Sequence, residues 1–480
     1  MALQKRDYDA VVVGAGPNGL AAAILMQQQG LSVLLIEGKD TIGGGMRSAQ
    51  LTLPGFTHDI CSAVHPLAMA SPFFNTLPLQ AFGLQYLNPE LAVAHPLEGG
   101  KAAVLYPSVK TTAAQFGEDE AAYIKAIESI ANNWPMLIGD ILSPLRFPKY
   151  PIKMAAFGLK ALTSAQSFAK RFHSTEARAL FAGAAAHGMQ PLSNAATSAI
   201  ALVLLASGHT TGWPVPKGGS QSIADALGGY FKSIGGQIET GRYITSLSQL
   251  PGAHAVLFDV TPRQLLQIAG HKFSSIYKWQ LERYRYGMGV FKVDWALDAP
   301  VPFTNNNCLE AGTVHIGNTF DEIAHSEAMA ARGKICNEPF VLLTQPGLTD
   351  ATRAPQGKHA VWAYCHTPNG SAVDMTNRIE KQVERFAPGF RDRILAKHTF
   401  NSIQMQDYNP NYIGGDINGG VIDIGQLFTR PALRLSPYKT SATGLYICSS
   451  STPPGGGVHG MCGYHAAKRA LYDVFKIKIN

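Results

Sequence analysis

The stretch from Asp9 to Arg47, DAVVVGAGPNGLAAAILMQQQGLSVLLIEGKDTIGGGMR, constrains the fold more than any other part of the chain. Residues 10–13 are a short β-branched apolar run, the pattern of a strand buried on both faces. Gly14, Gly16 and Gly19 follow in G-x-G-x-x-G spacing, with Pro17 and Asn18 between them. Residues 20–29 then read as a helix, which Gly30 ends by accepting a left-handed conformation cheaply. Residues 33–36 repeat the buried-strand pattern, and Glu37 and Gly38 close it. A strand–turn–helix–strand unit of this kind holds a dinucleotide. Gly14 allows the tight turn, Gly16 lets a diphosphate approach the backbone, and Gly19 with Ala23 lets the helix pack closely on the sheet. The helix N-terminus offers free N–H groups and partial positive charge to the phosphates. Glu37 is placed to accept the ribose hydroxyls and would repel a 2′-phosphate, so FAD or NAD is favoured over NADP.

A second glycine cluster, Gly43, Gly44 and Gly45, precedes Met46 and Arg47. It suits a loop passing close over a larger cofactor, with Arg47 facing the diphosphate. The segment resembles the GG-x-x-[RST] run of the flavoprotein superfamily that includes amine oxidases and phytoene desaturases, which implies FAD. Four later segments carry the same resemblance. WPVPKGGSQSIADA (213–226) and GGQIETGRYI (235–244) are similar to the path back into the cofactor domain, with Tyr243 and Ile244 beside the adenine. AVLFDVTP (255–262) is similar to the strand and turn near the FAD that contains Thr261, except that the family commonly has a small residue where Asp259 stands. SSSTPPGGGVHGM (449–461) resembles the C-terminal flavin segment G-A-G-T-x-P-G-x-G-[IV]-x-G, which implies cofactor contacts from Ser450, Ser451, Gly457, Val458 and Met461. Ser449, Ser450 and Ser451 depart from its G-A-G.

Within the superfamily the chain most resembles the phytoene-dehydrogenase-related flavoproteins, which include carotenoid desaturases, carotene isomerases and retinol saturases. FTHDICSAVHPLA, FKVDWAL and RLSPYKT-x-x-x-GLYIC carry that similarity. It implies an α/β fold, a glutathione-reductase-like FAD-binding Rossmann domain with an inserted α+β substrate domain. The FAD domain is expected from residues 1–75, 212–285 and 432–480, and the substrate domain from 76–211 and 286–431. The implied reaction is desaturation or saturation of a C–C bond in a small apolar, isoprenoid- or carotenoid-like substrate, by hydride transfer with flavin N5. His187, in AAAHGMQP, and His459, in the flavin loop, are the catalytic candidates. Three alternatives share these motifs: a flavin amine oxidase, a redox-neutral flavoprotein isomerase, and a non-catalytic FAD-bearing interaction protein. The first needs an aromatic pair facing the flavin, for which Tyr446 and Tyr464 are the candidates.

Composition bounds the rest. Only 15% of the 480 residues are charged, with 48 glycines and 29 prolines, which suits a loop-rich two-domain enzyme. A net charge of +7 is mild for this size and makes no case for nucleic acid. The six cysteines are scattered without C-x-x-C, so neither a disulfide framework nor a metal site is expected, and a reducing, cytoplasmic compartment is. Lys5 and Arg6 lead directly into the first strand, leaving no room for a signal peptide. No run reaches the roughly 18 apolar residues of a membrane span. Residues 151–172 read as a helix whose apolar face is broken by Lys153, Lys160, Lys170 and Arg171; this fits an interfacial helix or a plain surface helix. Residues 195–206, nearly all apolar, fit a core helix or the wall of a substrate tunnel. The expectation is a long apolar substrate taken at a membrane surface, with peripheral membrane contact. The glycine-rich stretch 407–425 has no strand before it and no helix after it, so no second dinucleotide domain is expected. The oligomeric state is left open.

Overall fold

The computed structural model describes residues 7–479; Lys5 and Arg6 lie outside the described residues. Two sheets organise the chain. The first has five strands, all parallel, in the order Leu445–Ile447, Ala253–Phe258, Tyr8–Val13, Val33–Ile36 and Gln237–Glu239. Its central strands are buried on both faces, as the unbroken apolar runs require. The helix Pro17–Gln27 crosses between the first two strands in sequence and packs against the helices Gln221–Ser233 and Met461–Ala470. This is the doubly wound Rossmann arrangement of FAD- and NAD(P)-binding proteins.

The second sheet has seven strands in the order Ile394–Phe400, Gly289–Leu297, His359–Thr367, Val341–Thr344, Ala311–Ile316, Leu91–Pro96 and Ala102–Leu105. Its pairings are antiparallel except that between Ala311–Ile316 and Leu91–Pro96. Helices between residues 109 and 208 stack beside this sheet. Pro135 divides the first long helical stretch into Glu120–Asn132 and Trp134–Ile141, because a proline cannot donate within a helix. The apolar segment near residue 200 forms Thr197–Gly208, which is mostly buried but leaves Ala199, Ile200 and Val203 partly open toward a cavity.

The stretch expected as one helix over 151–172 divides into Pro151–Ala161 and Ala165–Ala169, and the lysines do not break the apolar face of the first. Its outward residues are Ile152, Ala155, Ala156 and Leu159, while Phe157 and Ala161 point inward. The lysines fold back instead. Lys160 donates to the carbonyls of Lys125 and Ala126 at 2.8 and 3.0 Å, and Lys153 donates to Asn133. Long lysine stems allow this, because the ammonium can reach acceptors along and just past the neighbouring helix Glu120–Asn132. No helix among the described residues is long and apolar enough to cross a membrane.

Candidate functional site

The site begins where the first strand turns into the first helix. Gly14 adopts φ +97°, and a Cβ at Gly19 would overlap the Gly14 carbonyl oxygen, so both positions exclude side chains. The second glycine loop faces the first: a Cβ on Gly44 would come within 2.9 Å of Gly16 Cα. Glu37 reaches back beneath this cradle. Its carboxylate accepts from the amides of Ala15 and Lys39, at 2.9 and 3.0 Å, and is paired with Arg47 at 2.9 Å. Arg47 is further held by the Thr41 carbonyl.

Two cavities meet at the cradle. The smaller, about 80 Å³, is lined by Gly14, Gly16, Glu37, Gly38, Gly44, Arg47, Tyr243 and Ile244. The larger, about 1270 Å³, starts from Gly16, Pro17, Asn18, Gly44 and Gly45, passes Ser450, Gly457 and Val458, and continues between the large sheet and the helices. Gly16, Gly44, Asp259, Asn409 and Asn411 belong to both walls. The residues present therefore fit FAD. A small chamber beside a carboxylate suits adenosine, and two facing glycine loops at a helix N-terminus suit the diphosphate. The larger chamber, which exceeds the roughly 300–1,000 Å³ of ordinary ligand pockets, has room for a flavin and a substrate. Asn18, buried with its Oδ1 unpartnered, stands at the junction.

Other expected contacts lie behind these walls. Gly19 provides the close helix packing. Met46 is fully buried in the core. Thr261 caps the helix Pro262–Ala269 through a reciprocal bond pattern with Gln264. Ser451 donates to the Gly419 carbonyl at 2.8 Å, and the Met461 amide donates to His459. These five shape the site without standing in either wall: Gly19 and Met46 are packed into the core, and the polar atoms of Thr261, Ser451 and the Met461 amide are spent on caps and loop closure.

The two candidate histidines both line the large cavity, and both are held neutral. His459 accepts the Met461 amide on Nδ1 at 3.0 Å, and burial lowers its pKa to about 4. His187 places Nε2 2.9 Å from Nε2 of His315, with Trp213 edge-on, and burial followed by the nearby His366 lowers it to about 3. The His187–His315 pair spans 128 positions, so nothing local in the sequence announces it. Tyr446 and Tyr464, the candidate aromatic pair, do not line the cavity; Tyr446 lies in the parallel sheet and Tyr464 packs on Phe73. Trp362 and Tyr364, stacked at 5.5 Å, do line it.

Several residues were not legible as site residues. Asn411 closes the cradle from the stretch 407–425: it donates to the Asp259 carbonyl at 3.2 Å and accepts from the Thr261 amide at 3.1 Å. Tyr412 places its hydroxyl against Gly45, where a Cβ would meet it at 2.8 Å. Asp259 is the most consequential. Its Oδ2 accepts from the Gly19 amide at 2.9 Å, inside the donor set that a diphosphate would use. Burial pushes its pKa up to about 7, the Gly19 amide opposes this, and the Glu37 charge adds to it. Its departure from the family pattern was the available signal. Arg353, fully buried between Asp59 (2.5 Å) and Asp350 (3.3 Å), ties the short strand His58–Asp59, which follows the second glycine loop, to the large sheet's connections.

Comparisons with known proteins agree with this architecture. A model of the NAD(P)-binding Rossmann-like domain matches residues 12–75. The chain is 24% identical to the "pyridine nucleotide-disulfide oxidoreductase domain-containing protein 2" of Mus musculus, over 98% of this chain and 94% of that protein. It is 23% identical to a neurosporene-forming phytoene desaturase of Rhodobacter capsulatus, over 51% of each. Among solved structures, a putrescine oxidase bound to putrescine matches with a TM-score of 0.64 at 15% identity, covering 98% of this chain and 99% of that one.

Proposed function

We propose that this FAD-type oxidoreductase desaturates or saturates a C–C bond in an elongated apolar molecule, an isoprenoid-like chain being the class that fits. The observation carrying the reading is the large cavity that runs from the glycine cradle to an apolar mouth. Glu37, the two glycine loops and the segment from Ser450 to Val458 would hold the cofactor, which supplies two-electron redox chemistry when bound. Met154, Phe157, Ile200, Val203 and Leu204 give the remaining wall its apolar character. Such a wall excludes water and orients a chain by shape.

Charge separates this reading from amine oxidation. The lining carboxylates are Asp140, paired with Arg146 at 2.9 Å, and Asp259, which caps the cradle. Neither is free to receive an ammonium in the substrate chamber. The phytoene desaturase similarity supports the C–C reading, and the putrescine oxidase match supports the fold.

The mouth supports a peripheral membrane contact. Leu145, Leu433 and Leu435 line the cavity and are also largely exposed, and Phe147, Ile152 and Leu159, on the loop and helix that follow Leu145 in the chain, are exposed as well. An exposed apolar rim around an apolar cavity is where a poorly soluble substrate would pass from a bilayer. The test of function is anaerobic. Oxidised holoprotein is mixed with detergent-dispersed polyprenyl chains and, separately, with primary amines, and the flavin absorbance near 450 nm is followed, with the dithionite-reduced protein as the reverse arm. Redox change with the polyprenyl class is expected; bleaching by amines alone would overturn the reading.

A further inference from the structure

We propose that the substrate carries a neutral hydrogen-bonding oxygen, a hydroxyl or carbonyl, and that a polar strip on the large sheet formed by Thr313, Thr344 and Trp362 receives it. The inference deepens the apolar-substrate reading above and rests on it. The three residues stand side by side on adjacent strands: Thr313 is in register with Thr344, and Thr344 with Trp362. Residues directly opposite one another share a face of the sheet, and all three line the large cavity. They are 1%, 1% and 3% exposed. Thr313 Oγ1, Thr344 Oγ1 and Trp362 Nε1 have no hydrogen-bond partner among the described residues.

Buried polar atoms are normally satisfied, and three unpartnered ones in a row in a cavity wall mark a place where a ligand completes the bonding. The strip offers an indole N–H and two rotatable hydroxyls. A carbonyl oxygen could accept from two of these donors, and a hydroxyl could in addition donate to the second threonine. The surroundings select a neutral group. His187, beside the strip in the same wall, is engaged with His315 and uncharged. The ammonium of Lys292, 5.6 Å from the Trp362 ring, is committed to the buried carboxylate of Asp294. A carboxylate substrate would meet a lysine already committed to Asp294 and an uncharged histidine, and a bare hydrocarbon would leave all three groups unpaired.

The experiment compares matched chains on the holoprotein. A C20 polyprenyl hydrocarbon, the corresponding primary alcohol and the corresponding aldehyde are titrated at equal detergent, read by perturbation of the flavin spectrum and by tryptophan fluorescence. The alcohol or aldehyde is expected to bind about tenfold more tightly than the hydrocarbon, as follows from making two or three otherwise absent hydrogen bonds. Thr344→Val, which keeps the shape, and Trp362→Phe, which keeps the ring, are each expected to bring that ratio close to one while hydrocarbon affinity and flavin content stay unchanged. Equal binding of the hydrocarbon and the oxygenated chains by the native protein would overturn the inference and leave the apolar-substrate reading standing. An unchanged ratio in both variants would do the same. Binding of none of the chains would overturn the apolar-substrate reading and this inference with it.

Discussion

Asp259 places an acid where a diphosphate should lie, and Asp259→Asn tests what that arrangement does. The asparagine Oδ1 can still accept from the Gly19 amide, which now meets Oδ2 of the aspartate at 2.9 Å, so the substitution removes the ionisable group and keeps the cap. In the folded chain the pKa is raised from 3.8 to about 7, first by burial and then by the charge on Glu37. A raised acid binds its proton more tightly in the native state than in the unfolded one. Its contribution to stability is therefore complete below about pH 4 and is lost as the pH rises toward 7, flattening above that. At 1.36 kcal/mol per pH unit, the interval amounts to ~4 kcal/mol. The neutral asparagine carries no such term. The difference in unfolding free energy between Asp259→Asn and the native chain should grow between pH 5 and 7 and level off by pH 8, with the variant the more stable there. Urea unfolding of the flavin-free proteins at pH 5, 6, 7 and 8, followed by tryptophan fluorescence, measures this. The diphosphate of FAD would add negative charge beside the same carboxyl, so native FAD affinity should fall as the pH rises above neutrality, and the variant's should not. A pH-independent difference, or a variant less stable than the native protein at pH 8, would refute the reasoning.

Four further outcomes are expected. Glu37→Ala should weaken FAD binding by about 1.5–3 kcal/mol, because the ribose loses a charged acceptor and the Ala15 amide is left unpaired; equilibrium dialysis of released flavin measures it. Arg353→Met should cost about 3–5 kcal/mol of stability in a urea melt, since it strands the buried Asp59 carboxylate without its guanidinium. NADH should reduce the flavin slowly and without saturation in stopped flow, because among the described residues one parallel sheet carries a nucleotide cradle. Flotation on liposomes should persist at high salt and be lost in the combined Phe147→Asp, Ile152→Asp and Leu159→Asp variant, as apolar burial of about 1.5–3 kcal/mol per side chain is replaced by charge. Flotation that salt abolishes would return the contact to the lysines.

The sequence was readable where function needs local geometry. A glycine that must take positive φ, or an acid at a strand end, shows itself within a few residues, so the cradle, Glu37 and the C-terminal loop could all be named in advance. The parallel sheet followed from the same logic, because strands buried on both faces read as unbroken apolar runs. What could not be read depends on register between distant strands. Thr313, Thr344 and Trp362 become neighbours only through two antiparallel pairings, and His187, at the end of a helix packed on the large sheet, meets His315 across 128 positions of chain. The lysines of Pro151–Ala161 show a different limit. The sequence reads as an apolar face broken by lysines, but the stems of Lys153 and Lys160 bend back to acceptors on and next to the adjacent helix, and the outward face is left apolar.

The order of strands in the parallel sheet has a consequence for how the chain is made. Its first two strands emerge early from the ribosome, but the edge strand Leu445–Ile447 and the helix Met461–Ala470 come last. That last helix packs so tightly on the first that a Cβ at Gly463 would collide with the Asn18 carbonyl. The phosphate cradle therefore stays without one of its supports until synthesis is nearly complete, and its closure is a contact of very high sequence separation. Such contacts form late and slowly, which leaves the apolar helices of the middle region exposed in the meantime. Supply of flavin during expression should accordingly govern how much protein survives to be folded, and removal of the last thirty or so residues should yield an aggregating chain instead of a smaller stable one.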